Sequence, residues 1–377
     1  MDDRTYPILF PELYARLGSH AILTDFGRAA ARATGYENVV AWSALRIIVS
    51  ALTVVGALLR APGDAVAQPA ETAPLQLEAK IPLGSVRGRI DHMAVDLKRQ
   101  RLFVAELGND SIAIVDLANR KLVHTIAGLK EPQDVGYEPL TNMLYVANAG
   151  DGSVQLFGAD DYAARERIEL GSDADNIRVD TAASRIFVGY GSGALAVIDS
   201  STRRRVGDIP LKAHPESFQV DPATGQIFVN VPDAHGIAVV DRAAQKQTGK
   251  WPIVDHGANF PMALDAVHRQ VLVVFRAPAE LGVFSMTGGR LIATAETCGD
   301  ADDLFIDAKR GRVYVSCGAG FLDVFETKGV TYRRIARIPT VSGARTSLFV
   351  PELDRLLLAV RASAAEPAAV WVFRPIP

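Results

Sequence analysis

The chain has 377 residues, of which 49% are hydrophobic and 22% are charged, and its formal net charge at pH 7 is -3. This composition is that of an ordinary globular protein, and it excludes a disordered chain and a membrane-embedded one. The charge balance gives no reason to expect a general nucleic-acid-binding protein. Two cysteines are too few for a disulfide-rich scaffold, and no Cys-x-x-Cys pair or zinc-type Cys/His spacing is present.

The N-terminal part of the sequence has the features of an export signal. Residues 47–59 are apolar over a stretch of about 13 residues, which is shorter than a membrane-spanning helix needs. Arg46 precedes them, and Ala65-Val66-Ala67 has the small-x-small pattern that signal peptidase accepts. We therefore expect residues 39–67 to be a signal peptide cleaved after Ala67, which predicts a periplasmic or secreted protein. A buried helix of a small N-terminal domain is the alternative.

A signal peptide normally begins within a few residues of its charged segment. In this sequence residues 1–38 precede the predicted signal peptide. We expect them to be a spurious or unstructured extension that results from a start codon assigned too early. No methionine lies between Met1 and Met93, so the true start would use another codon, at Val39 or Val40. Because no cysteine lies near the cleavage position, we expect no lipoprotein anchor.

From about residue 75 onward the sequence repeats itself. Each unit has an apolar strand that ends in Asp, a strong second strand, a third strand after a Gly- and Asn-rich turn, and a more polar fourth strand. Marker valines of the second strand recur every 42 residues or so at Val104, Val146, Val188, Val229, Val274, Val315 and Val360. Seven units of four strands predict an all-β, seven-bladed β-propeller over residues 68–377.

The seventh unit stops before a fourth strand, and a segment with the fourth-strand pattern is left over at residues 76–83, which include LEAKIPL. An unpaired edge strand promotes aggregation, and closing the ring removes that edge. We therefore expect this N-terminal segment to pair with residues 370–373 and to complete the last blade.

The repeat units resemble a known group of propellers. The second strands RLFVA, MLYVAN, RIFVGY and RVYVSC and the third strands SIAIVD and ALAVID are similar to those of the YVTN-repeat β-propeller family, the YncE-like exported proteins. The resemblance covers about residues 75–377 and implies the propeller fold. It leaves the function open, because similar scaffolds serve lectin-like, nucleic-acid-binding, electron-transfer and hydrolytic or lyase roles.

The loops that lead into the innermost strands of a propeller lie on one face around the central channel, where ligands usually bind. In this sequence those loops are rich in carboxylates, so we expect an acidic face around the channel. The candidate binding residues at this channel mouth are Arg89, Asp91, His92, Asp134, Asp175, Asn176, His214, Glu216, Asn259, Asp302, Asp303 and Arg345.

Two interpretations of these loops stay open. Converging carboxylates would suit a divalent metal ion such as Ca²⁺ or Mg²⁺, and added imidazoles would suit a transition metal, so a divalent ion is the one cofactor that the residues suggest. Alternatively, each carboxylate caps its own turn on a solvated rim. Turn capping is also expected for the aspartates that recur at strand ends, namely Asp96, Asp180, Asp221, Asp265 and Asp307 after the first strand and Asp116, Asp199 and Asp241 after the third.

Cys298 lies in the loop that leads into the sixth unit, and Cys317 lies at the end of its second strand. Antiparallel neighbouring strands bring these positions together, so we expect a disulfide in an oxidising compartment, with free thiols as the alternative. The bridge would close a loop of about 19 residues and contribute roughly 3 kcal/mol in the chain-entropy model.

No catalytic constellation is recognisable, since the sequence has no Gly-x-Ser-x-Gly, no His-Glu-x-x-His and no phosphate loop. The leading hypothesis is a periplasmic, monomeric scaffold without a membrane span, which binds a small ligand or another exported protein at the channel mouth. The second is a metal-assisted lyase or lactone hydrolase with His92 or His214 as base. Nucleic-acid binding ranks last on charge.

Overall fold

The computed structural model describes residues 73–377, which form 28 β-strands and three short 3₁₀ helices. The predicted extension and signal peptide lie outside the described residues. The strands build seven four-stranded antiparallel sheets, and each sheet is one blade. The helices span Leu107–Asn109, Thr181–Ala183 and Pro232–Ala234, so no helix in the described part of the chain has the length to cross a membrane.

Six blades are continuous in sequence, and their strands run outward from the channel in chain order. The first blade contains β2 (Met93–Asp96), β3 (Arg101–Glu106), β4 (Ser111–Asp116) and β5 (Lys121–Ala127). The second contains β6 (Pro132–Glu138), β7 (Met143–Asn148), β8 (Ser153–Gly158) and β9 (Ala164–Glu169). The third contains β10 (Ala174–Asp180), β11 (Arg185–Tyr190), β12 (Ala194–Asp199) and β13 (Arg204–Pro210). The fourth blade contains β14 (Phe218–Val220), β15 (Gln226–Val231), β16 (Gly236–Asp241) and β17 (Lys246–Pro252). The fifth contains β18 (Gly257–Asp265), β19 (Gln270–Ala277), β20 (Ala279–Ser285) and β21 (Leu291–Glu296). The sixth contains β22 (Ala301–Asp307), β23 (Arg312–Cys317), β24 (Phe321–Lys328) and β25 (Thr331–Pro339).

The seventh blade joins the two ends of the described chain. It contains β26 (Ser347–Val350), β27 (Arg355–Val360) and β28 (Ala369–Pro375), and β1 (Leu75–Pro82) is its outermost strand. Strand β1 pairs antiparallel with β28, with Ile81 opposite Val370 and Lys80 opposite Trp371. The innermost strands contact one another around a closed ring in which β26 meets β2. The predicted fold and its N-terminal closing strand are confirmed.

The hydrophobic core is divided among the interfaces between blades. Seven apolar clusters occur in the described residues, and each is built from two neighbouring blades. Because blades pack face to face, the second and third strands are covered on both sides, and Leu102, Phe103, Val104 and Ala105 of β3 are all 0% exposed. This explains why those strands are continuously apolar, whereas the outermost strands alternate with exposed residues.

Polar contacts also join every pair of neighbouring blades near the channel. Their donors and acceptors are both backbone and side-chain groups, and at least one hydrogen bond of 2.7 to 3.3 Å crosses each interface. In ring order they are His92 N to Gln133 O, Ile177 N to Asp134 Oδ2, Arg178 Nη2 to Ser217 Oγ, Asn230 Nδ2 to Phe260 O, Arg276 Nε to Ala301 O, Ser347 N to Asp303 Oδ2, and Thr346 Oγ1 to Ile90 O.

The recurrent aspartates at strand ends cap turns, as the repeat indicated. In the first-to-second-strand turns, Asp96, Asp180, Asp221, Asp265 and Asp307 accept backbone N–H groups two or three residues further on. Asp116, Asp199 and Asp241 do the same after the third strands. These carboxylates therefore have a structural role, which is the usual one for Asp in such turns.

Candidate functional site

The strand registers show which residues are equivalent in the seven blades. In each blade one residue of the innermost strand lies opposite the fourth residue of the second strand: Met93 opposite Val104, Val135 opposite Val146, Ile177 opposite Val188, Phe218 opposite Val229, Met262 opposite Val273, Leu304 opposite Val315, and Ser347 opposite Leu358. The two residues that precede these positions therefore form two rings with one side chain from each blade.

The residue directly before these positions belongs to what we call the interface ring. Its members are His92, Asp134, Asn176, Ser217, Pro261, Asp303 and Thr346. Asp134 and Asp303 each accept a backbone N–H of the following blade at 2.7 Å. His92 lies 3.5 Å from Asp303 through its Nδ1 atom. Most of this ring thus holds blades together.

The residue one position earlier belongs to what we call the channel ring. Its members are Asp91, Gln133, Asp175, Glu216, Phe260, Asp302 and Arg345. Arg89, which precedes Asp91, interacts electrostatically with Asp91, Asp302, Asp175 and Glu216 together. Those carboxylates come from the first, sixth, third and fourth blades, which can meet only across the channel. The channel ring therefore surrounds one shared space.

Two arginines are held firmly at one side of this space. Arg276 Nη2 lies 2.6 Å from Asp302 Oδ1, and Arg345 Nε lies 2.9 Å from Asp302 Oδ2. Both guanidinium groups also contact Asp300, at 3.5 and 2.9 Å. The Arg276 guanidinium lies 3.8 Å from the centroid of the Phe260 ring, a cation–π contact. Each of these cations is already shared between carboxylates.

The other carboxylates of the channel ring interact with different cations. Asp91 is 0% exposed, and its Oδ2 atom forms an ion pair with Arg89 Nη2 at 2.7 Å. The carboxylate of Glu216, which is partly exposed, interacts electrostatically with His214 and Arg276. Asp175 Oδ2 lies 3.7 Å from His214 Nε2, whose Nδ1 donates to the Gly191 carbonyl at 2.6 Å. Asp91, Asp175 and Glu216 therefore each have a cation as an electrostatic partner.

The pKa values of the channel ring follow from these contacts and from burial. Burial raises the pKa of Glu216 to about 8, and the nearby carboxylate of Asp175 adds to the effect. Burial lowers the pKa of His214, but Asp175 and the Gly191 carbonyl outweigh burial and raise it to about 9. Burial raises the pKa of Asp302, but Arg345 and Arg276 outweigh burial and lower it to about 2. On Glu216, burial and Asp175 therefore outweigh the nearby cations His214 and Arg276.

The interface ring holds a buried charge cluster around His92. Burial lowers the pKa of His92, but Asp303, Asp91 and Asp134 outweigh burial and hold it well above the usual value. Burial raises the pKa of Asp134 to about 6 against the lowering effects of His92 and Arg178. The imidazolium of His92 thus joins carboxylates of the first, second and sixth blades, which favours a structural role.

These pKa shifts predict how stability depends on pH. From pH 5 to 9 the folded protein retains protons on Glu216, His214 and His92 that the unfolded chain releases earlier, so the free energy of unfolding falls as the pH rises. Each such proton contributes a slope of about 1.4 kcal/mol per pH unit. We expect Glu216→Gln to remove one of these contributions between pH 5 and 8.

Urea unfolding at a series of pH values measures this slope. The matched control is Glu352→Gln, because Glu352 is exposed in the turn between β26 and β27, at the opposite end of the seventh blade. The control should keep the slope of the unaltered chain. Equal slopes for the unaltered chain and the Glu216→Gln variant would contradict the assignment.

The structure separates the predicted site residues into groups. Arg89, Asp91, Asp175, His214, Glu216, Asp302 and Arg345 come together around the channel, whereas His92, Asp134, Asn176 and Asp303 belong to the interface ring. Asn259 is 1% exposed and donates to Asn230 Oδ1 at 2.8 Å and to the Gly236 carbonyl at 3.3 Å, so it links the fourth and fifth blades.

Two arginines near the channel, Arg178 and Arg276, were not among the residues predicted from the sequence. Arg178 lies inside β10, 3.5 Å from Asp134, and no local pattern distinguishes it. Arg276 lies near the end of β19, and the loop that follows a second strand faces the same side as the lead-in loops. Charged residues at the ends of the second strands were therefore the sequence feature from which Arg276 could have been predicted.

The disulfide prediction is confirmed, and it involves the same part of the sixth blade. Cys298 and Cys317 are bonded, with their Cα atoms 5.9 Å apart, and both residues are buried. Cys298 lies two residues before Asp300, which contacts Arg276 and Arg345. The bridge therefore anchors the segment that holds both arginines.

The residues that the structure describes contain no group of three or more His, Cys, Asp or Glu side chains placed to hold one metal ion. The carboxylates that the sequence suggested as oxygen ligands are instead divided between arginine pairs, backbone N–H groups and the cluster around His92. Their arrangement does not match the ligand sets of Ca²⁺ or Mg²⁺ sites.

Comparisons with known proteins support the fold. No family model matches the chain, and no curated protein sequence matches it. A chain of the solved structure of Kuenenia stuttgartiensis hydrazine synthase is 16% identical with a TM-score of 0.67, covering 75% of this chain and 94% of that one. A chain of the mitotic checkpoint complex structure is 12% identical with a TM-score of 0.65, covering 85% of this chain and 98% of that one. At these identities the similarity shows the fold alone, which is the seven-bladed β-propeller.

Proposed function

We propose that this chain is an exported propeller of the YVTN-repeat, YncE-like type, which works as a binding scaffold and takes its ligand at an acidic channel mouth. The observation that carries the proposal is the convergence of Asp91, Asp175, Glu216 and Asp302 from four blades on one space. A propeller channel lined by a few converging polar groups is a common type of ligand site.

Export is supported by two independent features. The apolar segment at residues 47–59 and the Ala65-Val66-Ala67 pattern have the form of a cleavable signal. The Cys298–Cys317 disulfide is typical of proteins outside the cytoplasm. N-terminal sequencing of the exported protein is expected to begin at Gln68, and a mature chain that keeps Ala41 would contradict the cleavage.

Binding is favoured over the two alternatives by the way the polar groups are paired. A metal-assisted lyase or lactone hydrolase would require a ligand set for the metal, and Asp302 is bonded to two arginines instead. A phosphate backbone would require available cations, and Arg276 and Arg345 are both held by carboxylates. The channel ring offers a partner carboxylates together with the cations that pair with them.

The test is a panel of probes of different chemistry: putrescine, arginine, glucose, glutarate, phosphate and CaCl₂. Binding to the full chain is measured by ligand-observed NMR, and the double variant Asp175→Asn/Glu216→Gln and the distant control Glu352→Gln are measured alongside. We expect at least one probe to bind the unaltered chain and the control, and to bind the double variant at least about tenfold more weakly, which corresponds to about 1.4 kcal/mol. No binding at all, or equal binding to the double variant, would contradict the proposal.

A further inference from the structure

We propose that a crevice between the first and second blades is a second binding site, which takes a small aromatic carboxylate. The crevice, which we call the open crevice, is a cavity of about 180 Å³. Its walls include Gly128, Lys130, Gln155, Phe157, Ala164 and Arg167. A cavity of about 150 Å³ is large enough for benzene. None of these residues belongs to the channel ring, so the site is independent of the proposed function.

The strand registers identify the position of Gln155 in other blades. It is the residue of the third strand that lies opposite the fourth residue of the second strand, and on its other side it has one neighbour on the fourth strand. In the second, sixth and seventh blades these pairs of neighbours are Gln155 with Arg167, Asp323 with Arg337, and Trp371 with Lys80. The sixth and seventh blades therefore show what the same position can hold.

The sixth blade shows how a carboxylate is bound at this position. Asp323 is 0% exposed, and Arg337 donates to both of its oxygens, through Nε and Nη2, at 2.8 Å each. Thr297 Oγ1 donates a third hydrogen bond at 3.1 Å. A two-pronged contact of this kind is among the strongest hydrogen-bonded pairs in proteins. Arg167 is the equivalent of Arg337, so it can bind the carboxylate of a ligand in the same way.

The seventh blade shows how an aromatic ring is bound at this position. The Trp371 side chain is 7% exposed, and its ring centroid lies 6.3 Å from that of Phe373. Lys80 Nζ lies 4.1 Å from the centroid of the indole, a cation–π contact. Phe157 is the equivalent of Phe373, two positions further along the third strand. The open crevice thus offers a ligand ring the same aromatic neighbour and a cation.

The crevice is open because smaller residues replace those that fill the corresponding space between the fifth and sixth blades. Thr297 directly follows the fourth strand of the fifth blade, and the residue that follows the fourth strand of the first blade is Gly128. Arg334, which donates to Asp323 at 3.5 Å, has Ala164 as its equivalent. The volume that these polar side chains occupy in one interface is therefore available to a ligand in the other.

The charges of the wall favour an anion. Lys130 and Arg167 are its charged residues, and both are cations. Arg167 forms ion pairs with Asp151 and Glu169, whose side chains are 28% and 65% exposed. Exposed ion pairs of this kind are weak because water and salt screen them. A ligand carboxylate can therefore compete with Glu169 for Arg167, and Lys130 adds a second positive charge.

Titration of the full chain with benzoate at pH 7, followed by ligand-observed NMR, tests the inference. We expect a dissociation constant of about 1 mM or below, which is within reach of a ligand of this size. Lys130→Gln/Arg167→Gln should weaken binding at least about tenfold. Glu169→Gln removes the competing partner of Arg167 and should strengthen binding about two- to threefold. The matched control Lys121→Gln, at the other end of β5, should bind benzoate as the unaltered chain does.

A variant that fills the crevice locates the site. Gln155→Trp gives the second blade the ring that the seventh blade has, so it should occupy the cavity and abolish benzoate binding. A melting curve shows whether this variant is folded. Lys130 and Arg167 are exposed, so their double variant keeps the fold and tests the inference even if Gln155→Trp does not fold.

Two further probes test the class of ligand. Benzamide has the ring without the charge, and propionate has the charge without the ring, so each should bind at least about tenfold more weakly than benzoate. If either binds as tightly as benzoate, the proposed ligand class is wrong. No benzoate binding up to about 10 mM, or equal binding to the double variant or to folded Gln155→Trp, would overturn the site. These results leave the scaffold function to its own test, whose variants lie in the channel ring.

Discussion

Deletion of residues 75–83 is expected to destabilise the whole propeller rather than its last blade alone. Leu75, Ile81 and Leu83 are at most 3% exposed, and Ile81 and Leu83 pack in the cluster between the seventh and first blades. Burying a side chain of this size contributes about 1.5 to 3 kcal/mol, so the deletion removes roughly 5 to 9 kcal/mol. That loss is comparable to the entire stability of a typical domain, about 5 to 15 kcal/mol.

Urea unfolding followed by circular dichroism measures this effect. Two point variants of the same strand show whether burial is the cause. Ile81→Ala is expected to cost about 2 to 5 kcal/mol because it leaves a cavity, whereas Leu77→Ala should cost less than about 1 kcal/mol because Leu77 is 41% exposed. A deletion variant that unfolds at the same urea concentration as the unaltered chain would refute ring closure by β1.

Removal of the disulfide is the second change from which we expect a large loss of stability. The Cys298–Cys317 bridge spans a sequence separation of 19 residues, and the chain-entropy model assigns such a loop about 3 kcal/mol. The double variant Cys298→Ala/Cys317→Ala should therefore be less stable by about 2 to 5 kcal/mol in urea unfolding. The loss should include local loosening, because the bridge anchors the segment that contains Asp300 and Asp302.

Reduction separates the effect of the bond from that of packing. Both cysteines are buried, so replacing them also removes packing. A reductant should destabilise the unaltered chain and leave the double variant unchanged, since only the unaltered chain has a bond to lose. Two titratable thiols in the denatured, unreduced protein would show that the bridge is absent.

The sequence by itself determined the architecture, including the number of blades and the closing strand. This was possible because each blade is encoded locally: short strands rich in Val, Ile and Phe alternate with Asp- and Gly-rich turns at a constant period. The missing fourth strand of the seventh unit and the leftover segment before the first complement each other. The disulfide followed from the same pairing logic, because Cys317 lies opposite Ala301, three residues from Cys298.

Only the tertiary structure decided which polar residues share the channel. Two pairs of sequence neighbours have similar polarity, namely Asp91 with His92 and Asp302 with Asp303. In each pair the first residue belongs to the channel ring and the second to the interface ring. The physical reason is that successive residues of an extended strand point in opposite directions, so a step of one residue changes the surroundings completely. Contacts between blades are also distant in sequence, and no local pattern could show that Arg276 would bind Asp302.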